Sequence, residues 1–251
     1  MIDIKLLTKS FSEKIVLNNV SFDVLEGQSL AIVGQSGTGK SVLLKNIIGL
    51  MKPDSGEVWI DDKLISGMSF RDLQKIRTKI GMVFQSGALF DSLTVSENIE
   101  LGLKKLTDLN KIERQDRVLE SLNDVNLDST EKLMPSELSG GMRKRVGIAR
   151  AIAIRPKYLF YDEPTTGLDP IMTDIINKLI LKFQKEYNMT SVIITHETRT
   201  VFDVAERVVM LDDGKIVYNG GTEKIKVTES PIIKRFFTGN SELELGVENE
   251  R

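Results

Sequence analysis

Eight consecutive residues carry the most explicit chemistry in this sequence: Gly34, Gln35, Ser36, Gly37, Thr38, Gly39, Lys40 and Ser41 fit the P-loop pattern Gly-x4-Gly-Lys-Ser/Thr. Phosphate oxygens need many donors converging in a small space. The glycines let the backbone turn and bring its N–H groups against a β-phosphate. The helix that follows adds the partial positive charge of its N-terminus. Lys40 is then placed to reach the β- and γ-phosphates, and Ser41 to hold Mg²⁺ through its hydroxyl. A nucleotide site also needs a metal partner and an activator of water. The apolar run Tyr158–Tyr161 ends in the adjacent carboxylates Asp162 and Glu163. Side chains alternate along a strand, so the pair can divide the work. Asp162 is expected in the Mg²⁺ shell, and Glu163 is expected to orient or deprotonate the attacking water.

The elements that must position these groups follow from short apolar, β-branched runs bounded by turn residues. Ser29–Val33 reads as a buried strand leading into the Gly-rich turn, and Lys40–Ile48 follows with Leu43, Leu44, Ile47 and Ile48 at helical spacing. Lys79–Phe84, Tyr158–Tyr161, Ser191–Thr195 and Arg207–Leu211 read as further strands, and Asp213-Gly214 as a tight turn into Lys215–Tyr218. Strands alternating with helices predict an α/β fold with a mainly parallel sheet covered on both faces. Ile15–Leu25 and Glu57–Ile60 suggest an antiparallel β subdomain beside it. From about Leu93 to Ile154 helical signals take over: Thr94 and Glu97 have capping-box spacing, Glu113–Val125 is a charged helix, and Ser139 precedes a helix over Gly141–Ile154 that Arg155-Pro156 ends. This block, about 88–155, is expected to be a helical subdomain inserted into the core domain 1–221. The segment 222–251 is expected to be a helical and acidic extension, fraying through Glu242, Glu244, Glu248 and Glu250.

Composition narrows the chemistry. The 251 residues include 34 basic and 36 acidic side chains, a net charge of −2, which argues against holding nucleic acid on a general basic surface. With no cysteine, disulfides, zinc-thiolate sites, iron–sulfur clusters and thiol nucleophiles are excluded. A single histidine, His196, excludes paired-His catalysis and His-rich metal sites. No apolar run approaches the roughly 20 residues of a spanning helix, and the N-terminus lacks a signal-peptide pattern. A cytoplasmic location is therefore expected.

Between the P-loop and the carboxylates lies Leu138-Ser-Gly-Gly-Met142. The ordered set resembles the ATP-binding cassette (ABC) family over nearly the whole chain to about Gly221. The resemblance implies an ABC ATPase fold that binds ATP and Mg²⁺. Phe11 matches the aromatic that stacks on adenine, and Gln85 the glutamine that senses the metal and contacts the permease. Ser139, Gly140 and Gly141 match the signature motif, Asp169 the D-loop, and His196 the switch histidine that contacts the γ-phosphate or orients water. It also implies a head-to-tail dimer, most simply a homodimer, in which each signature helix end faces the ATP held by the other subunit's P-loop. One position departs from the pattern: Met142 stands where the signature commonly ends in Gln. That change, with the segments 84–91, 132–143 and 169–174, is similar to the ATPase subunits of Mla/Mce-type phospholipid transporters. Those subunits work on the inner face of the cell membrane with an integral permease and an Mce-domain partner. An ABC ATPase acting on another substrate or on nucleic acid, and a P-loop kinase, are the rival readings; the kinase leaves the signature motif and His196 without a role.

Two further features stand outside this set. Arg143, Lys144 and Arg145 form a basic cluster expected to be a solvated helix face. Ile232, Ile233, Phe236 and Phe237 form an apolar helical stripe that must either pack back on its own domain or grip a partner subunit.

Overall fold

A computed structural model describes residues 1–239. The chain begins with β1 (Ile2–Phe11), β2 (Lys14–Val24) and β3 (Ser29–Val33), followed by α1 (Lys40–Ile47), β4 (Ser55–Ile60), β5 (Lys63–Leu64), α2 (Phe70–Arg77) and β6 (Ile80–Val83). Three helices then run without an intervening strand: α3 (Val95–Leu106), α4 (Lys111–Asp124) and α5 (Gly140–Ala153). The core resumes with β7 (Tyr158–Asp162), α6 (Pro170–Tyr187), β8 (Thr190–Ile194), α7 (Thr198–Val204), β9 (Arg207–Asp212) and β10 (Lys215–Gly221). The short helices α8 (Thr222–Ile225) and α9 (Pro231–Thr238) follow. The acidic positions Glu242, Glu244, Glu248 and Glu250 lie outside the described residues.

The strands form two sheets. A four-stranded antiparallel sheet has the order β2-β1-β4-β5, and a six-stranded sheet has the order β10-β9-β3-β8-β7-β6. In the larger sheet β9, β3, β8, β7 and β6 are parallel, with β10 antiparallel at one edge. Both faces of this sheet are covered, which is why the central strands β3, β8 and most of β7 are buried without alternation, whereas the edge strand β10 alternates between exposed and half-buried positions. Tyr158 and Phe160 of β7 face the core shared with the antiparallel sheet and α1, while Leu159 and Tyr161 face the core shared with α3 to α6. A third cluster joins Ala31 and Val33 of β3 to Val201 of α7 and Ile233 of α9. The apolar stripe of α9 thus packs back on its own domain. Phe237 meets Phe202 of α7 at 5.4 Å between ring centroids, and Ile232 alone of the four is exposed. The basic cluster on α5 departs from expectation at two of its three positions, while Arg143 is exposed as expected. Lys144 is buried, and Arg145 Nη1 donates to the carbonyls of Val125 and Asn126. Partners on loops remote in sequence draw these charges inward. No helix among the described residues is long and apolar enough to cross a membrane.

One carboxylate clamps the two sheets together. Asp61 and Asp62 turn β4 into β5 with φ of 49° and 61°, the left-handed pair that a two-residue hairpin needs. Asp61 accepts from Tyr158 Oη at 2.5 Å, Lys79 Nζ at 2.7 Å and Lys157 Nζ at 2.8 Å. Those donors stand at the entrances of β6 and β7. Burial alone raises the Asp61 pKa, but the hydrogen bonds from Lys157, Lys79 and Tyr158 together hold it far below the ordinary carboxylate range. A depressed folded pKa stabilises the fold above the unfolded value of 3.8, and the contribution is lost as pH falls through the folded value. Asp61→Asn is therefore expected to cost about 1–3 kcal/mol at pH 7. Urea denaturation should show that difference shrinking toward acid pH.

Candidate functional site

The P-loop leaves the buried strand β3 and enters α1 at Gly39, whose φ is 101°. A Cβ there would lie 2.8 Å from the Val16 carbonyl oxygen, so only glycine satisfies both the backbone and the space. Helices α2 to α6 each begin with a capping side chain, whereas α1 has none. Its first N–H groups are thus left for an external acceptor, the condition for anion binding at a helix end. Lys40 Nζ donates to the carbonyls of Gly34 at 2.7 Å and Gln35 at 2.9 Å, and Thr38 Oγ1 donates to Gln35 O at 2.9 Å. Burial lowers the Lys40 pKa, and the nearby Glu163 and Asp162 carboxylates oppose that shift.

Opposite the loop, a cleft of about 700 Å³ gathers Gln35, Ser36, Gly37, Gly39, Lys40 and Ser41 with Gln85, Asp162, Glu163 and His196. Gly34 and Thr38 shape the loop without lining the cleft. Asp162 ends β7, and its pKa is raised by burial and by Glu163, with Lys45 and Lys40 pulling the other way. Strand alternation does not separate the two carboxylates. Glu163 leaves the strand with a left-handed φ of 52°, so both line one cleft. That conformation costs a non-glycine residue of order 1–3 kcal/mol and needs external support. Glu163 N donates to Ile194 O at 2.8 Å, and Thr166 Oγ1 donates to Glu163 Oε2 at 2.9 Å. His196 Nδ1 lies 3.0 Å from Glu163 Oε1 and 2.9 Å from Oε2. Between an imidazole nitrogen and a carboxylate the nitrogen must be the donor, which leaves Nε2 outside this contact.

The remaining expected residues lie elsewhere. Ser139 caps α5, its Oγ accepting from Met142 N at 3.2 Å, and Ser139 and Gly140 are exposed. Asp169 caps α6, its Oδ1 accepting from Ile171 N and Met172 N at 2.9 Å. The two helix heads meet where Gly141 packs on Met172. None of Ser139, Gly140, Gly141 or Asp169 lines the cleft, and neither does Phe11, which stands exposed at the end of β1 with Lys9 Nζ 5.7 Å from its ring centroid. The lining instead includes Val16, Val42 and Phe236, which the sequence reading did not assign. Phe236 belonged to the C-terminal apolar stripe, but spacing alone cannot show that the stripe reaches the P-loop. Thr166 carried a weak signal, a hydroxyl three residues after a carboxylate.

The donor set suits Mg²⁺ bound through phosphate. Among the described residues no three acidic, His or Cys side chains converge as a metal cage. The cleft lining offers the Asp162 carboxylate, the Ser41 hydroxyl and the Gln85 amide among its oxygen donors, and Mg²⁺ is commonly held by one or two protein oxygens together with phosphates and water. A divalent cation there would also favour the ionised form of Asp162 that burial disfavours.

The sequence profile described as ABC transporter matches residues 17–166, more than half of the chain. The intermembrane phospholipid transport system ATP-binding protein MlaF of Haemophilus influenzae is 36% identical, covering 96% of this chain and 92% of its own length. The methionine import ATP-binding protein MetN of Carboxydothermus hydrogenoformans is 42% identical, over 88% of this chain and 65% of its own length. A solved dimeric ATP-binding cassette in a post-hydrolysis state with ADP and phosphate superposes with a TM-score of 0.82 at 36% identity, covering 88% of this chain and 98% of that one. The expected P-loop α/β fold is borne out. The chain belongs to the ABC transporter family and is its ATP-binding, ATP-hydrolysing subunit.

Proposed function

We propose that this subunit powers phospholipid movement through a cell envelope as a head-to-tail homodimer with two composite ATP sites. It would sit on the cytoplasmic face of the inner membrane, docked to an integral permease that works with an Mce-domain lipid-binding partner. The observation that carries the dimer is the division of the nucleotide-facing groups between two surfaces of one chain. The cleft holds the P-loop and the acid–base groups, and the exposed helix end at Ser139 and Gly140 offers further donors away from it. A second copy turned end for end brings each surface to the other. The lipid reading draws on the MlaF relative, which aligns along nearly the whole of both chains. The higher identity to MetN favours a second reading, an importer of a small polar solute.

In this reading the P-loop amides and Lys40 bind the β- and γ-phosphates. Ser41, Asp162 and Gln85 would hold Mg²⁺, which when bound neutralises charge on the phosphate oxygens. Glu163, steadied by Thr166 and His196, takes a proton from water as the water oxygen bonds to the γ-phosphorus and the bond to the ADP oxygen breaks. His196 Nε2 is available to the γ-phosphate or the water. The chain's own groups thus bind, orient and move one proton.

Glu163→Gln is expected to lower ATP hydrolysis by about 10²–10⁴-fold, to retain ATP binding and to accumulate a closed dimer visible by light scattering. Hydrolysis at the parental rate would exclude Glu163 as the base. Lys40→Ala should weaken binding of a fluorescent ATP analogue by about 10–100-fold, the worth of charge-assisted hydrogen bonds. Normal affinity would contradict the phosphate site. Tagged protein purified from native membranes should carry a permease, an Mce-domain chain and bound phospholipid. Co-purification with a methionine-binding protein and no lipid would select the second reading.

A further inference from the structure

Helix α5 carries two cations that the roles above leave unused. Lys144 is 8% exposed, and its Nζ donates to the carbonyl oxygens of Pro164 at 3.0 Å and Thr166 at 2.6 Å. Arg150, further along the same helix, donates through Nη1 to Ala88 O and through Nη2 to Gly87 O, both at 2.7 Å. A buried ammonium is costly, and an apolar side chain would fill such a place without that cost. What the charge secures is a fixed position for two carbonyls. Both belong to the turn that follows Glu163, and the Thr166 hydroxyl in that turn donates to the Glu163 carboxylate at 2.9 Å. The chain of contacts is therefore continuous: Lys144 holds the Thr166 backbone, and the Thr166 side chain holds Glu163. Glu163 depends on such support because its left-handed φ of 52° is unfavourable for a residue with a Cβ.

The same helix grips the Gln85 loop almost backbone to backbone. A Cβ at Gly147 would lie 3.1 Å from Gly87 Cα, and one at Gly87 would lie 2.8 Å from the Arg143 carbonyl. The first turn of this helix follows Ser139 and contains Gly140 and Gly141. One helix thus joins the signature end to both loops that carry Gln85 and Glu163 into the cleft. In a head-to-tail dimer that end serves the partner's nucleotide, while Glu163 and Gln85 serve the chain's own. Resting on that dimer reading and on Glu163 as the base, we propose that Lys144 is a positioning residue for Glu163. Through it, α5 couples engagement of the signature end at one ATP to the water-activating carboxylate at the other.

The test compares full-length Lys144→Met, Lys144→Arg and Glu163→Gln with the parent for ATP-analogue affinity, kcat and the ATP-concentration dependence of hydrolysis. Lys144→Met should keep the parental Kd, lose about 10–100-fold in kcat through misplacement of the base, and hydrolyse ATP without the cooperativity of the parent. Lys144→Arg retains donors for both carbonyls and should recover most of kcat and the cooperativity. Parental kcat in Lys144→Met overturns the proposal. So does a loss of affinity in step with kcat, which marks a merely structural role, and so does a parent enzyme with no cooperativity to lose. If Lys144→Met fails to fold by circular dichroism, the same split between Kd and kcat is read on Lys144→Gln. Glu163→Gln keeps the two readings apart. Activity at the parental rate there refutes Glu163 as the base, whereas an inactive Glu163→Gln beside a fully active Lys144→Met refutes the positioning role alone.

Discussion

The parallel pairing of β3, β8, β7 and β6 is the constraint on which the cleft depends. Ile32 pairs with Ile194, Asp162 with Ile194 and Val83 with Tyr161, so these strands end at nearly the same level. The P-loop, His196, the carboxylates and Gln85 all leave the sheet within a few residues of those pairs. A slip of one residue would move a strand end by about 3.3 Å and turn its side chains to the other face. Phe160 and Tyr161 would then exchange cores, which neither core can accommodate. The apolar register thus sets the geometry of the cleft, and Asp61 reinforces it by clamping the entrances of β6 and β7.

Within that frame the cleft keeps charges that cost stability. Burial pushes both Lys40 and Asp162 toward their neutral forms, and Glu163 adds a like charge beside Asp162 while holding an unfavourable backbone conformation. Each cost sits where a triphosphate and its cation would supply the compensating charge, the usual trade of stability for function at a binding site. The cores around the cleft offset that cost: β3, β8 and most of β7 are buried on both faces and are mainly apolar.

The legible parts of this structure were those set by burial on two faces or by local hydrogen bonding. Ser29–Val33 was expected as a strand and is one over the same residues, because a continuous apolar run between turn residues has few other uses. The Thr94–Glu97 capping box forms as read, although the matching box at Asn110 and Glu113 starts α4 two residues earlier than expected. The first strand was missed. Its alternation is broken by register shifts between Ile4 and Ser10 and by Leu6 at a φ of 49°. Helix α2 was missed although Phe70, Leu73 and Ile76 recur at helical spacing, a stripe of only three residues in an eight-residue helix. Lys144 was misjudged as solvated, since what buries it is a turn some 20 positions away. The P-loop and the carboxylates were legible as chemistry, and Gln85 and His196, which join them in one cleft, through the family resemblance. The left-handed Glu163 was not, because alternation holds only while the strand continues.

Met142 shows why the departure from the common signature need not disturb the head of α5. The atom this position contributes to the helix head is its backbone N–H, which donates to Ser139 Oγ at 3.2 Å. Any residue but proline supplies that donor. The thioether side chain packs, partly buried, on the helical core that contains Leu138 and Val146. Methionine fits an irregular apolar seat better than an amide would, since an amide there must find partners or carry a desolvation cost. Side-chain identity at 142 is thus governed by the core beneath α5, while the exposed groups at the helix head belong to Ser139 and Gly140. The backbone donor does not depend on the side chain, so the side chain can change without removing it.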